Sequence, residues 1–369
     1  RELDRFEATE KEFNFKFDFL HNVNAGITFL SAVLTGGMQA DLLFSENCDA
    51  YDAYMIGTLL PAENFISDPT EEKWQPASEM LGIFEGKRYC VFPNYWEASP
   101  SIIGFISANI TKLEEYNVGD PHEIIEAGEW DWNHFTEFLR QTAFTDGTTV
   151  WRGLGMYASA GETMLPFILG NGGSYMTNRG GKYKLAIDSE EAIEALKFAQ
   201  SLVAEDIMSD IPADNTDFHQ GMTWMLASGS VSTSDVYDLS AIRYPFGPHG
   251  NKDIVSTITN GDLMYAFPIF SGYNEDEIGT VVEFMFEPLS DIYPNGWRDL
   301  YEDNVFFYHE DYEYYLRSVE NATYLDNAAL HQSYFDFRGA MRLVLFNSAT
   351  PEAAVESVPP VAPAFLYCH

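Results

Sequence analysis

The chain has 369 residues and a mass of 41.7 kDa, more than one ordinary hydrophobic core accommodates, so two lobes or domains are expected. Apolar residues make up 46% and aromatics 15%, which excludes a disordered chain, and no apolar run approaches the about 20 residues of a membrane span. With 57 acidic side chains against 20 basic and a formal charge of −37, the surface repels nucleic acid and anionic lipid, and no nucleic-acid partner is expected.

The opening residues RELDRFEATEKEF read as part of a helix with Leu3 and Phe6 on one face. No signal peptide precedes them, and the chain is expected to begin after its natural start. Asn14–Phe19 alternates aromatic and polar residues and predicts a strand. Ala25–Leu34 predicts a helix stopped by Gly36-Gly37, Ala40–Ser45 a short strand, and Ala53–Leu60 a second helix closed by Pro61. Strand and helix alternate, which is the pattern of an α/β fold with a parallel sheet. In Arg88–Val118 a strand at Tyr89–Phe92 leads through a loop to a buried strand at Ile102–Ser107 and a helix at Asn109–Glu115. Asp131 caps a packing helix that presents Phe135, Phe138, Leu139 and Thr142 on one face. Gly153–Ala158 predicts a strand, and Thr163–Leu169 a helix stopped by Asn171-Gly172-Gly173. Asp188 is expected to cap the helix Ser189–Ala204. Phe218–Ser228 and Leu263–Ile269 read as strands, Ile242–Gly250 as a short extended segment, and Ile278–Phe286 and Ser333–Phe346 as helices. Tyr301–Tyr315, rich in tyrosine and acid, reads as a solvated helical face. Thr350-Pro351 opens the last helix with a cap and an N1 proline.

The loop after Phe92 gathers Asn94, Tyr95, Trp96 and Glu97. Aromatic faces beside a carboxylate and an amide suit a sugar ring, whose C–H faces lie on aromatics while its hydroxyls take hydrogen bonds. The same aromatics also serve as ordinary core or rim residues. Glu46–Asp49 lies just past the carboxyl end of a strand, where ligands bind in open α/β sheets, although Asp and Asn are also common turn residues there. Phosphate-binding, dinucleotide and nucleophile-elbow signatures are missing. The eight histidines are scattered and Asp206, Asp210, Asp214 and Asp217 lack the calcium-loop rhythm, so no metal or cofactor is expected. Cys48, Cys90 and Cys368 form no C-x-x-C pair and read as free thiols. Asn109-Ile-Thr and Asn321-Ala-Thr match the short glycosylation pattern.

The order of segments resembles extracellular solute-binding proteins of ABC importers, in the carbohydrate-binding group typified by maltose-binding protein. The likeness rests on ADLLFSENCDAYDAYMIGTLLP, VFPNYWEASPSIIGFISANITKLEEYNV, GEWDWNHFTEFLRQT, FILGNGGSY, DSEEAIEALKFAQSLV, FHQGMTWMLASG, RYPFGPHGN and FRGAMRLVLFNSATPEAAVESV, in that order over nearly the whole chain. Two departures stand out. The family's first strand is absent, and its Gly-x-Trp after the FHQGMTWM strand is replaced by SGSVSTSDVYDL, which leaves Tyr237 as the aromatic of that loop.

The resemblance implies an α/β, two-lobed periplasmic-binding-protein-like fold, each lobe a mainly parallel sheet flanked by helices, with a ligand cleft between the lobes. Residues 1–107 and 267–320 would form lobe one, and 108–266 and 321–369 lobe two, with crossings near Ser107–Asn109, Ala266–Ile269 and Val319–Leu330. The expected ligand residues are Glu46, Asp49, Tyr95, Trp96, Glu162, Asp235, Tyr237, Asn260, Asp262, Tyr334 and Arg338. Trp96 and Tyr334 would stack on sugar faces, while the carboxylates and amides take hydroxyls. Trp130, Trp132, Trp224 and Trp297 are expected in the core. The implied partners are a carbohydrate, an oligosaccharide by expectation, and an importer permease. The protein would act as a monomer, lipid-anchored on the outer face of a bacterial membrane or free in the periplasm. Two alternatives stay open: a secreted glycoside hydrolase or lyase, which needs a carboxylate pair about 5–10 Å apart, and a binder of a cation such as a polyamine, which the negative charge would favour.

Overall fold

A computed structural model describes residues 2–19, 40–46, 53–54, 56–75, 77–94, 102–143, 145–146, 149–150, 152–157, 164–179, 182–211, 223–228, 238–250, 257–258, 263–269, 271–291, 294–304, 306, 308–321, 323–324, 331–346 and 348–359. The chain opens with α1 (Glu2–Phe13), β1 (Leu43–Glu46), β2 (Leu59–Leu60), α2 (Ala77–Met80), the ribbon β3 (Ile83–Phe84) and β4 (Lys87–Arg88), and β5 (Cys90–Val91). Next come β6 (Ile102–Ile103), β7 (Phe105–Asn109), α3 (Ile110–Glu115), α4 (Pro121–Glu126), α5 (Trp132–Thr142), the ribbon β8 (Thr145–Asp146) and β9 (Thr149–Val150), β10 (Arg152–Tyr157) and α6 (Leu165–Gly170). The ribbon β11 (Met176–Arg179) and β12 (Lys182–Leu185) precedes α7 (Glu190–Ala204), β13 (Met208–Ile211), β14 (Thr223–Ser228), β15 (Leu239–Arg243), β16 (Thr257–Ile258) and β17 (Leu263–Pro268). The chain continues through α8 (Glu275–Met285), α9 (Trp297–Asn304), α10 (His309–Glu320), β18 (Thr323–Tyr324), α11 (His331–Leu345) and α12 (Pro351–Ser357).

Three sheets organise these elements. A four-stranded sheet sets β17 against β1, β2 and β5, and all three pairings are antiparallel. A five-stranded sheet has the order β13-β10-β14-β7-β15, with β10 parallel to β13 and β14 and β7 antiparallel to β14 and β15. A small sheet, β18-β16-β6, takes β6 from just before β7, β16 from just before β17, and β18 from between α10 and α11. The mainly parallel pairing expected from the sequence is therefore not what the four-stranded sheet shows. Its middle strand arrives from the small sheet and runs against every neighbour.

Side-chain alternation builds the cores. Ile106 and Ala108 of β7 face a large cluster with Trp130, Phe135, Leu139, Phe167, Leu196, Phe337 and Met341, contributed around α5, α6, α7 and α11. Phe105 faces the other way, onto Ala241, Trp297 and Tyr315. Along β17, Met264 and Ala266 join Leu43, Leu59, Cys90 and Phe92. Tyr265 and Phe267 point the opposite way, to Phe65, Ile278, Val282 and Met285, and Phe65 stacks on Phe267 at 4.1 Å.

Helix ends follow local chemistry. Asp131 accepts from the N–H groups of Asn133 and His134, and Thr350 caps the proline-led last helix. Asn274 and Glu277 form a reciprocal capping box, which starts α8 at Glu275 instead of Ile278. Ser189, one residue after the expected Asp188, caps α7 by accepting from Ala192 N–H.

Four further expectations change. Phe15–Phe19 is not a strand: Asn14 ends α1 with φ 53°, and the Phe17 and Phe19 rings meet the Phe6 edge at 5.0 and 5.2 Å. Leu59–Leu60 leaves the predicted helix after Gly57, at φ 72°, and pairs with Phe267 and Pro268. The predicted strand Ile102–Ser107 is two strands, parted at Gly104, which serve different sheets. Tyr301–Tyr315 is not a solvated face: Tyr312 and Tyr315 are buried, and Tyr301, Phe306 and Trp297 pack around Tyr315. Tyrosine offers a large apolar ring with a polar tip, so a tyrosine-rich acidic stretch can still bury one face. The segment 25–34 lies outside the described residues.

Candidate functional site

Two sheet edges lead toward the small sheet. In the four-stranded sheet, Glu46 ends β1 opposite Leu263, the first residue of β17. Because β5 is also antiparallel to β17, its carboxyl end points to the same edge. In the five-stranded sheet, Met156 lies opposite Ala227, Ser228 opposite Phe105, and Phe105 opposite Arg243. The carboxyl ends of β10, β14 and β15 thus share an edge with the start of β7. Gly104 alone separates β7 from β6, and residues 259–262 alone separate β16 from β17.

Of the eleven predicted ligand residues, three fall on described backbone. Glu46 occupies the β1 edge. Tyr334 and Arg338 lie four residues apart on α11, on one helix face. Arg338 is half-buried and follows Phe337, whose ring meets Tyr175 at 4.8 Å. Asp49, Tyr95, Trp96, Glu162, Asp235, Tyr237, Asn260 and Asp262 lie outside the described residues. Their chain positions are still informative. Asp49 follows β1 by three residues, Tyr95 and Trp96 fall between β5 and β6, and Glu162 follows β10. Asp235 and Tyr237 follow β14, and Asn260 and Asp262 fall between β16 and β17. Every one of these segments leaves or enters a sheet at one of the two edges.

Two of the segments that carry the family resemblance turn out to be mutual supports. Asn171 of FILGNGG is buried, accepts from His249 N–H at 3.1 Å, and donates to Glu191 O at 2.8 Å and Glu194 Oε2 at 3.0 Å. Gly247 of RYPFGPHGN donates its N–H to Gly170 O at 3.0 Å. A Cβ at Gly247 would lie 2.1 Å from Asn171 Oδ1, and one at Gly250 would lie 1.8 Å from Gly170 O. Only glycine allows this approach.

A buried polar cluster escaped the sequence reading. Asp311 of α10 is 1% exposed and Ser240 of β15 is 2% exposed. The Ser240 hydroxyl donates to Asp311 Oδ1 at 2.7 Å, and Ala241 N–H donates to Oδ2 at 3.0 Å. His122 Nε2 of α4 lies 2.7 Å from Ser240 Oγ. Burial pushes the Asp311 carboxyl above its ordinary range, against the pull of Ser240, Ala241 N–H and His122, while Glu310 adds to the rise. Burial also raises the nearby Tyr308 hydroxyl, assisted by Asp238, Glu114, Asp311 and Asp120. The signal missed was the amphipathic spacing of Asp311, Tyr312 and Tyr315. Among the described residues, no group of three or more His, Cys, Asp or Glu is placed to hold a metal ion, and no helix is long and apolar enough to cross a membrane.

Two solved structures share this architecture nearly end to end. One is the GacH receptor of Streptomyces glaucescens, solved unliganded and in complex with acarbose and an acarbose homolog. It is 17% identical with a TM-score of 0.68, over 96% of this chain and 92% of that one. The other is a cyclic alpha-maltosyl-1,6-maltose binding protein from Arthrobacter globiformis. It is 15% identical with a TM-score of 0.69, over 97% of this chain and 94% of that one. The fold is the two-lobed α/β fold of these sugar-binding proteins. No protein-family model and no curated protein matches the sequence.

Proposed function

We propose that this chain is a non-catalytic extracellular binding protein that captures a carbohydrate, specifically an oligosaccharide, between its lobes and presents it to the permease of an ABC importer. The observation that carries the reading is the fold match over 96–97% of the chain to a receptor solved with acarbose and to a cyclic alpha-maltosyl-1,6-maltose binding protein. One lobe would form around the four-stranded sheet and the other around the five-stranded sheet. The crossings would lie at β6, at β16 and between α8 and α9, and the expected boundaries 107/108 and 266/267 fall inside β7 and β17. Helices α9 and α10 then belong with the five-stranded sheet, against which they pack.

In this reading the cleft lies between the two edges, and Glu46, Asp49, Glu162, Asp235, Asn260 and Asp262 take ligand hydroxyls. Trp96, Tyr95, Tyr237 and Tyr334 lie on sugar faces, and Arg338 is held by a carboxylate or donates to the ligand. Hinge bending at the small sheet closes the lobes, and the ligand shifts that equilibrium only by its difference in affinity for the two states. The protein works as a monomer, anchored by lipid outside a bacterial membrane or free in the periplasm.

A thermal-shift panel of mono- and oligosaccharides, with amino acids and polyamines beside them, tests this reading, because a ligand of the folded state raises Tm by mass action. A shift with one oligosaccharide series, and intact sugar recovered after long incubation, is the expected result. Cleaved sugar would transfer the chain to the glycoside hydrolases or lyases. A shift with polyamines alone, lost in moderate salt, would make the ligand a cation.

A further inference from the structure

Among the described residues, strand β15 pairs with β7 on one side and ends the five-stranded sheet on the other. Half the N–H groups of such an edge strand point away from the sheet and need another partner. Asp311 supplies one by accepting from Ala241 N–H, and the same carboxylate takes the Ser240 hydroxyl. Ser240 meets His122 in turn, so a continuous hydrogen-bonded path joins α10, β15 and α4. We propose that Asp311, Ser240 and His122 form a proton-holding latch that fastens α10 onto the open edge of the five-stranded sheet, so that α10 docks more tightly as pH falls.

The path has two hydrogen-bond arrangements that need no heavy atom to move. With Asp311 ionised, Ser240 O–H donates to Oδ1 and accepts from His122 Nε2–H. When Asp311 takes up one proton on Oδ1, that O–H donates to Ser240 Oγ and the Ser240 hydroxyl turns to His122 Nε2, so both bonds reverse and the carboxyl is neutral. The ionised arrangement keeps a carboxylate at 1% exposure, which is a costly state.

The surrounding charges act in the same direction. Glu310 adjoins Asp311 on its own helix, and Asp120, Glu114 and Asp238 stand around neighbouring Tyr308 on the α4, α3 and β15 sides. His122 is the basic group that acts on Asp311. The sign follows. Burial places the docked carboxyl above the value it has in water, so docking binds a proton. That contribution is complete below the ordinary carboxylate value and is lost as pH rises through the raised one. Because α10 ends at Glu320 and β18 begins at Thr323, the latch also tethers the strand that α10 feeds into the small sheet. Nothing in this inference depends on the sugar-binding reading.

Hydrogen exchange of the full chain by mass spectrometry, from pH 7 to 4 and corrected for intrinsic amide rates, tests the latch. Protection of α10 amides relative to α7 amides should rise on acidification, by at most about tenfold per pH unit, the limit for one proton. In Asp311→Asn, which keeps an acceptor but cannot take up the proton, the ratio should stay flat. His122→Gln leaves both bonds to Asp311 in place, removes the pull of the imidazole on the carboxyl, and should move the rise in protection to higher pH. A flat ratio in the unmodified chain overturns the proposal, as does an unchanged slope in Asp311→Asn. Should Asp311→Asn fail to fold, an unmoved pH profile in His122→Gln would overturn it just as well.

Discussion

The two large sheets solve one problem in different ways. In each, a single strand runs against the others: β17 in the four-stranded sheet and β7 in the five-stranded sheet. Both follow directly on strands of the small connecting sheet, β16 and β6. The reversed direction therefore marks where the chain has just crossed. In the four-stranded sheet the crossing strand is the hub and every described pairing depends on it. In the five-stranded sheet β10, β13 and β14 form a parallel set of their own, and β7 joins it to the edge strand β15. The first arrangement concentrates stability in one strand, while the second spreads it.

That contrast can be broken most severely on the five-stranded side, at the glycine lock beside α6. Gly250→Ala puts a methyl 1.8 Å from a backbone oxygen that cannot move away. The cost should go well beyond the about 1–3 kcal/mol usual for overpacking and exceed that of the other two changes, read as a fall in soluble yield and a lowered urea midpoint. On the four-stranded side, Phe267→Ala removes the ring stacked on Phe65 from the hub strand and should cost about 3–5 kcal/mol. Equilibrium unfolding of this variant sharpens the comparison, because a loss confined to the four-stranded side should split the melt into two transitions. A single transition lowered as a whole would show that the two sides unfold together. The smallest effect is expected at the capping box of α8. Asn274→Ala should cost about 1 kcal/mol, with Asn274→Asp close to neutral, and equal losses in the two variants would show that the cap contributes through something other than its acceptor.

The sequence made the amphipathic helices and most strands of the five-stranded sheet legible, because Phe135, Phe138 and Leu139, or Leu196 and Ala199, recur at helical spacing. What was hidden depended on partners far away in the chain. Nothing local distinguishes Leu59–Leu60 as a strand, since its pairing residues, Phe267 and Pro268, are about two hundred positions later. Phe15–Phe19 has the period of a strand, yet its rings pack on Phe6 of α1. The Tyr301–Tyr315 stretch carries enough acids to read as solvated, yet Tyr312 and Tyr315 are buried. Asp311 is buried since β15 leaves an N–H at the sheet edge, a fact set by topology and not by composition. The segments expected to carry the site, those of Glu46, Tyr95, Glu162, Asp235 and Asp262, adjoin strands that end or begin at the two edges leading to the small sheet. Their side-chain geometry is a matter of tertiary placement that spacing does not encode.

Titration calorimetry with a malto-oligosaccharide series, at low and at moderate salt, tests the central claim most directly. A saturable one-to-one heat with at least one member, unchanged by salt and with the sugar recovered intact, is the expected result. No heat with any oligosaccharide, alongside salt-sensitive heat with a polyamine, would contradict it.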